Sequence, residues 1–395
     1  MAIPGLDDLL RGGVHGLRTF VRSDLNVPLA DGAVGDDTRI RSSLPTLRRL
    51  LDAGARVVLA SHLGRPRGQR VLEMSLRPVA PHLARALGAG VAFCDDCIGE
   101  RALAAVAELA PGQLLLLENL RFHAGETQND PDFAKALADL ADAYVNDAFG
   151  TAHRVHASTV GIASHLPRRA GGDLMTAELR SLRRVRDPLR PLMVLLGGAK
   201  VSDKLGVLEA LTPRAEILAI GGAMSYTFLA ARGQAIGDSL FEPDRVEDAR
   251  RVLRAAEEHG RCLLLPDDHV VARSPEPDAP TRVVQEIPAG WAALDIGPET
   301  ARHYVKAAHQ SRTIFWNGPM GMFEVPAFAG GTRTLAAGLA GCSGTTVIGG
   351  GDSLAAINQQ GVGDRIDHLS TGGGASLEYV RGATLPGVAA LGESG

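Results

Sequence analysis

Lysine is scarce in this chain, with four against thirty-seven arginines in 395 residues. Aromatic residues make up only 4%, there are four cysteines, and no uncharged apolar run reaches the roughly 18 residues that a membrane-spanning helix needs. So few aromatics leave no stacking platform for nucleic-acid bases. A formal net charge of -4 with no basic tail argues further against a phosphate-neutralising face, so no nucleic-acid partner is expected. Four cysteines in a chain of this length build no disulfide framework. Cys94 and Cys97 form a lone CxxC without the second ligand pair a zinc site requires, and reduced thiols are expected. The N-terminus, MAIPGLDDLL, lacks the basic region and apolar core of a secretory leader. A cytoplasmic location, off the membrane, is expected.

Against this scarcity, two of the four lysines sit four apart in GGAKVSDK, from Gly197 to Lys204. A compact, mobile ammonium does what a planar guanidinium fork cannot, which gives such an exception a physical reason. The preceding MVLL, Met193 to Leu196, reads as a buried strand, and the two glycines let the chain turn into a helix. Lys200 and Lys204 are expected to share one face of that helix near its positive end. That position suits phosphate oxygens. A solvated lysine pair on an exposed helix is the plain alternative.

Length and an apolar content of 45% suffice for two sizeable cores. Short runs of Val, Leu and Ile alternate with polar loops and amphipathic stretches, which is the grammar of βαβ units. Strands are expected at Thr19–Val21, Val57–Ala60, Leu114–Leu117, Ala143–Val145, Met193–Leu196, Ile217–Ile220, Cys262–Leu265, Thr313–Trp316 and Thr346–Ile348. Arg245 to His259 reads as a helix with Val246, Ala249, Leu253 and Ala256 on one face. Because the strand runs are continuously apolar, the sheets should be parallel and covered on both sides. The predicted fold class is α/β: two doubly wound parallel-sheet, Rossmann-like domains joined by a hinge within Leu166 to Asp187. The first domain is assigned to residues 1–172 and the second to 173–377.

The two halves differ in the loops at the ends of their strands. First-half loops carry arginine and histidine: RSDLNVP around Asp24 and Asn26, DDTRIR around Arg39, SHLGRP around His62 and Arg65, ENLRFH around Arg121, and GTAHRVHAS around Arg154. Second-half loops carry glycine: GGAKVSDK, GGAMSY, WNGPMGMFE, IGGGDS and STGGGAS. Open parallel sheets bind ligands beyond the carboxyl ends of their strands, so each set should converge on one crevice. The arginines suit a small polyanion through charge-assisted hydrogen bonds. The glycine loops let peptide N–H groups approach a nucleotide's phosphates. His62 fits either a phosphate contact or a satisfied histidine at a strand end. Asp352 fits a helix N-cap or a carboxylate that holds Mg²⁺, and Glu324 a solvated acid or an acceptor for ribose hydroxyls. No Walker A sequence and no GxGxxG is present.

Taken in order, VRSDLNVPLADG, SHLGRP, LLLLENLRFH, YVNDAFGTAHR, GGAKVSDKLGV, LDIGP, WNGPMGMFE, IGGGDS, STGGGASLE and LPGVAAL closely resemble the phosphoglycerate kinase family over nearly the whole chain. The resemblance implies a two-domain, hinge-bending, monomeric enzyme of glycolysis. It transfers a phosphoryl group between 1,3-bisphosphoglycerate and ADP, with Mg²⁺ as cofactor, to give 3-phosphoglycerate and ATP. It further implies that a C-terminal segment, 378–395, completes the first, substrate-binding domain and that the second domain binds the nucleotide. By the same resemblance Asp24 and Asn26 contact the glycerate hydroxyl region, and His62, Arg65, Arg121 and Arg154 form the substrate phosphate set. Arg39 stands beside the reacting carboxyl-phosphate. On the nucleotide side it implies Lys200 and Lys204 as paired lysines and Glu324 as the ribose contact. Gly350, Gly351, Asp352 and Ser353 form the phosphate and Mg²⁺ loop, and Gly372, Gly373 and Gly374 the helix start facing the transferring group. The chain departs from the family pattern at Leu25, Asp173, Ala223 and Ser353. A carboxylate acceptor is already deprotonated at neutral pH, so no catalytic base is called for, and cations and backbone donors carry the chemistry. A non-catalytic sensor on the same scaffold is the rival reading, to be favoured if Ala223 or Asp173 blocks closure.

Overall fold

Alternate residues of each central strand face opposite cores. Val57 and Leu59 pack in one apolar cluster with Val21, Leu114 and Val145, whereas Val58 and Ala60 pack in another with Phe20, Leu115 and Tyr144. Uninterrupted apolar strands are what a sheet covered on both faces requires. The computed structural model describes residues 3–30 and 32–392. The chain divides into two compact units, one of residues 1–179 with 384–395 and the other of residues 180–383.

In the first unit a six-stranded sheet runs in the order Val91–Phe93, Leu114–Leu116, Arg56–Ala60, Arg18–Ser23, Ala143–Asp147, Arg169–Gly171. Every pairing in it is parallel. In the second unit the order is Cys262–Leu264, Ile217–Ile220, Leu192–Leu196, Thr313–Asn317, Thr345–Gly349, His368–Ser370, again all parallel. Numbered by appearance, this second order is 3-2-1-4-5-6, that of dinucleotide-binding folds, with its switch point between Leu192–Leu196 and Thr313–Asn317. The expected strands all form, within a residue or two at their ends.

The strands that the sequence pattern does not reveal are short or polar. Val91–Phe93, Arg169–Gly171 and His368–Ser370 have three residues each, too few for periodicity to register. An antiparallel sheet of Arg282–Val284, His269–Ala272 and Ala292–Ile296 is likewise unexpected. The helix expected at 245–259 spans Val246–Glu258; Ala249, Val252 and Ala256 are its buried apolar residues, while Val246 and Leu253 are half-buried. Cys94 and Cys97 are buried free thiols, and burial pushes both above the ordinary thiol range.

Candidate active site

The first unit gathers its polar side chains where Arg18–Ser23 and its neighbours end. Asp24 comes directly after that strand and is buried, and its Oδ2 accepts from Nη1 of Arg39 at 2.7 Å, at the start of the helix Thr38–Asp52. The backbone N–H of Asn26 donates to Oδ1 of Asp24 at 3.2 Å, while Oδ1 of Asn26 accepts from the N–H of Gly64 at 2.9 Å. Arg121 donates to the carbonyl of Gly64 at 2.8 Å. The loops carrying Asp24, His62 and Arg121 are thus tied to one another, and Arg65 lies on the middle one. Arg65 is exposed, with no hydrogen-bond or ion-pair partner among the described residues, so its fork is free.

Beneath these loops lies a buried network that the motifs did not reveal. Arg22 is fully buried within the strand; Nε donates to Oγ of Ser158 at 2.8 Å and Nη2 faces Nδ1 of His62 at 3.2 Å. Ser158 in turn donates from Oγ at 2.7 Å and from its backbone N–H at 3.0 Å to the buried carboxylate of Glu126. Burial holds His62 well below the ordinary histidine value, and Arg22, Arg121 and Arg39 add to the shift. His62 is therefore neutral, accepts at Nδ1 from Arg22 and carries its proton on Nε2. His156 is lowered to about 4 by burial, with Arg121, Arg22 and Arg154 contributing. Burial also brings Arg121 down to about 10, with Arg22 and Arg154 adding repulsion. Nε of Arg121 is buried without a partner. The protein leaves this cationic cluster incompletely neutralised, and such a cluster is stabilised by a bound anion. Arg154 is exposed and bonds His153 at 3.3 Å.

In the second unit the glycine loops extend from five strands that are neighbours in the sheet, those ending at Ile220, Leu196, Asn317, Gly349 and Ser370. They therefore emerge side by side along one edge. Gly197 bonds the carbonyl of Asn317 at 3.0 Å, and a Cβ on it would lie 2.1 Å from the carbonyl oxygen of Pro319, so only glycine allows this approach. Lys204 donates to Oδ1 of Asn317. Burial lowers its pKa, while Asp203 and Asp352 oppose the shift. Nδ2 of Asn317 is buried and unpartnered, a donor left open beside Gly350. Gly350 has φ +93° and caps the helix Gly351–Gln359. Asp352 is the exposed second residue of that helix and not its N-cap, so of its two sequence readings the capping one falls. Ser353 is buried, its Oγ accepting from the N–H of Gly318 at 2.7 Å. Glu324 is exposed on the loop after Asn317. Gly373, at φ +52°, caps the helix Gly374–Val380 directly after Gly372.

One expectation is overturned. Lys200 and Lys204 do not share a helical face, because the helix begins at Leu205, with Lys204 as its N-cap and Lys200 exposed in the loop before it. The intervening turn is instead tied to a residue remote in sequence, the backbone N–H and hydroxyl of Ser202 both donating to Glu242.

The phosphoglycerate kinase family model matches residues 6–383. The chain belongs to the phosphoglycerate kinase family. It is 53% identical to the phosphoglycerate kinase of Moorella thermoacetica, over 95% of this chain and 96% of that one. With that of Desulforudis audaxviator it shares 54% identity, over 96% and 97%. Among solved structures, phosphoglycerate kinase from Coxiella burnetii is similar with a TM-score of 0.87 at 39% identity, covering 96% of this chain and 97% of that chain. The family's reaction, phosphoryl transfer between 1,3-bisphosphoglycerate and ADP to give 3-phosphoglycerate and ATP, is the activity of this phosphotransferase.

The departures from the family pattern are accommodated. Leu25 is fully buried in the core and its N–H bonds Oγ of Ser61 at 2.8 Å. Ala223 has φ -61° and ψ -28°, an ordinary helical conformation in which a Cβ is unstrained. Asp173 begins the helix Asp173–Arg186, where a carboxylate suits the dipole, and pairs with Arg49 at 2.6 Å.

Proposed function

We propose that the first unit, completed by its C-terminal segment, binds 3-phosphoglycerate or 1,3-bisphosphoglycerate, and that the second binds ADP or ATP with Mg²⁺. The observation that carries this reading is the incompletely neutralised cluster of Arg22, Arg39 and Arg121 around a neutral His62, with Arg154 adding its charge beside Arg121. Asp24 orients Arg39, whose charge acts on the oxygens of the moving phosphoryl group, while Asn26, His62, Arg65, Arg121 and Arg154 hold the substrate. Neutral His62 donates from Nε2 without adding a buried charge.

On the nucleotide side Lys200 and Lys204 take the phosphates and Glu324 the ribose. Gly350, Gly351 and Ser353 form the loop at the phosphates, with the N–H groups near Gly373 and Gly374 donating to the group in transfer. No cluster of three or more His, Cys, Asp or Glu able to hold a metal exists among the described residues. That accords with Mg²⁺, which takes one or two carboxylates and otherwise uses substrate phosphates and water. Asp352 is the carboxylate that fits. When bound, Mg²⁺ neutralises phosphate charge.

No residue is required to deprotonate the acceptor, whose carboxylate is ionised at neutral pH. Since the two reactants belong to different units, transfer needs hinge motion when both are bound, which also excludes water. A radius of gyration that falls partly with either ligand and most with 3-phosphoglycerate and a non-transferable Mg-ATP analogue together would show it. No helix is long and apolar enough to cross a membrane among the described residues. A cytoplasmic monomer free of nucleic acid completes the reading. A coupled assay for ATP formation from 1,3-bisphosphoglycerate and ADP tests it; ligand binding without turnover would favour the sensor.

A further inference from the structure

Ser202 lies midway between Lys200 and Lys204, and one side chain takes both of its polar hydrogens. Its hydroxyl donates to Oε1 of Glu242 at 2.6 Å and its backbone N–H to Oε2 at 3.0 Å. Glu242 is anchored in turn, its N–H donating at 3.1 Å to Oγ1 of Thr227, a fully buried residue of the helix Met224–Ala231. A rigid helix thus reaches, through one glutamate, to the middle of the lysine loop.

The tether fixes the turn in which the two ammonium groups part. The Ser202 N–H, a donor in the turn before the helix that starts at Leu205, is satisfied by a carboxylate as a cap would satisfy it, and the turn is thereby fixed to the neighbouring helix. Lys200 then stays in solvent while Lys204 turns inward to Asn317. An uninterrupted helix from Lys200 would set the lysines side by side on one face. Although burial opposes it, the bonds from the hydroxyl and backbone of Ser202 hold the Glu242 carboxyl below its ordinary range, so it is ionised at neutral pH.

We propose that Glu242 is a positioning residue that holds the lysine loop in the bent form in which Lys200 and Lys204 approach nucleotide phosphates from different directions. The proposal rests on the reading of that loop as the nucleotide phosphate site. Glu242 acts through the loop and contacts no reactant. Without the tether the competent loop is only one of several conformations, and apparent affinity falls by its fractional population.

Glu242→Ala should therefore raise KM for ADP and ATP about tenfold and leave kcat at saturating nucleotide within about threefold. KM for 3-phosphoglycerate should not move. Glu242→Gln, which keeps one acceptor oxygen, should lie between wild type and alanine. Ser202→Ala should act in the same direction, and the double variant should fall short of the product of the single effects, because both remove one contact. An unchanged nucleotide KM in Glu242→Ala, or a parallel rise in both substrates' KM with a lowered Tm, overturns the proposal. Lys204→Ala is the control for the reading beneath it. If Lys204→Ala changes neither kcat nor nucleotide KM, the phosphate-site reading falls and the proposal with it; if Lys204→Ala responds and Glu242→Ala does not, only the proposal falls.

Discussion

Residues 1–179 and 180–383 use the same six-stranded parallel architecture and fill the carboxyl ends of their strands with different materials. In the first unit the donors are side chains supported by other side chains: Glu126 holds Ser158, Ser158 holds Arg22, and Arg22 fixes the tautomer of His62. In the second they are backbone turns packed against each other, as at Gly197 and Pro319, with Lys204 as their half-buried cation. Burying guanidinium groups is costly without a counter-charge, so the first surface gains most from a small, highly charged ligand that supplies it. Peptide N–H groups carry no net charge and can line a longer molecule at little desolvation cost.

The comparison breaks most readily at the cations assigned to the chemical step. Arg39→Ala should reduce kcat by roughly 10³ to 10⁵ while changing substrate affinity little, since its charge is matched to the moving phosphoryl group. Steady-state kinetics in both directions would show a KM-only effect if that assignment were wrong. Lys204→Ala should lower kcat by about 10² to 10³ and spare KM for 3-phosphoglycerate. Equal damage to both substrates' KM would mean that the two surfaces are not functionally separate.

Arg65 sharpens the contrast within the first unit, because it has no partner to lose. Arg65→Ala should weaken 3-phosphoglycerate binding by about 1.5 to 3 kcal/mol, measured by calorimetry, with kcat nearly preserved. The buried network predicts a pH effect. His156 has an ordinary value of 6.5 and a folded value of about 4, so it favours the fold fully above pH 6.5 and loses that contribution as pH falls towards 4. Urea midpoints at pH 7 and 4.5 should therefore differ less in His156→Gln than in wild type; an identical difference refutes the assignment. The smallest effect belongs to Asp173→Ala, where a partly exposed pair with Arg49 is lost, and should cost about 0.5 to 1 kcal/mol in thermal unfolding. A loss of several kcal/mol would show a larger structural role for Asp173.

Much of this was legible in the sequence because strand-end loops repeat residue types that one chemistry needs. Asp24, Asn26, Arg39, His62 and Arg121 were readable from their motifs, and hydrogen bonds link Asp24 to Arg39 and to Asn26, and Asn26 and Arg121 to Gly64. Arg22 was not, although an arginine inside an apolar strand was the available signal. Glu126 and Ser158 carried none, since their partnership depends on side chains 32 positions apart meeting in the fold. The lysine spacing misled for a related reason. Four residues mean one helical face only if the segment is helical, and here the segment is a turn tied to Glu242, 40 positions beyond Ser202.

The segment Thr384–Leu391 has a consequence for synthesis on the ribosome. Gly387 bonds Ala152 at 2.8 Å, and Leu391 is buried in a core formed by residues 20–166. All of residues 180–383 are translated before this piece exists. The second unit can therefore finish folding while the first still lacks part of its interior, a nascent chain whose earlier half matures last.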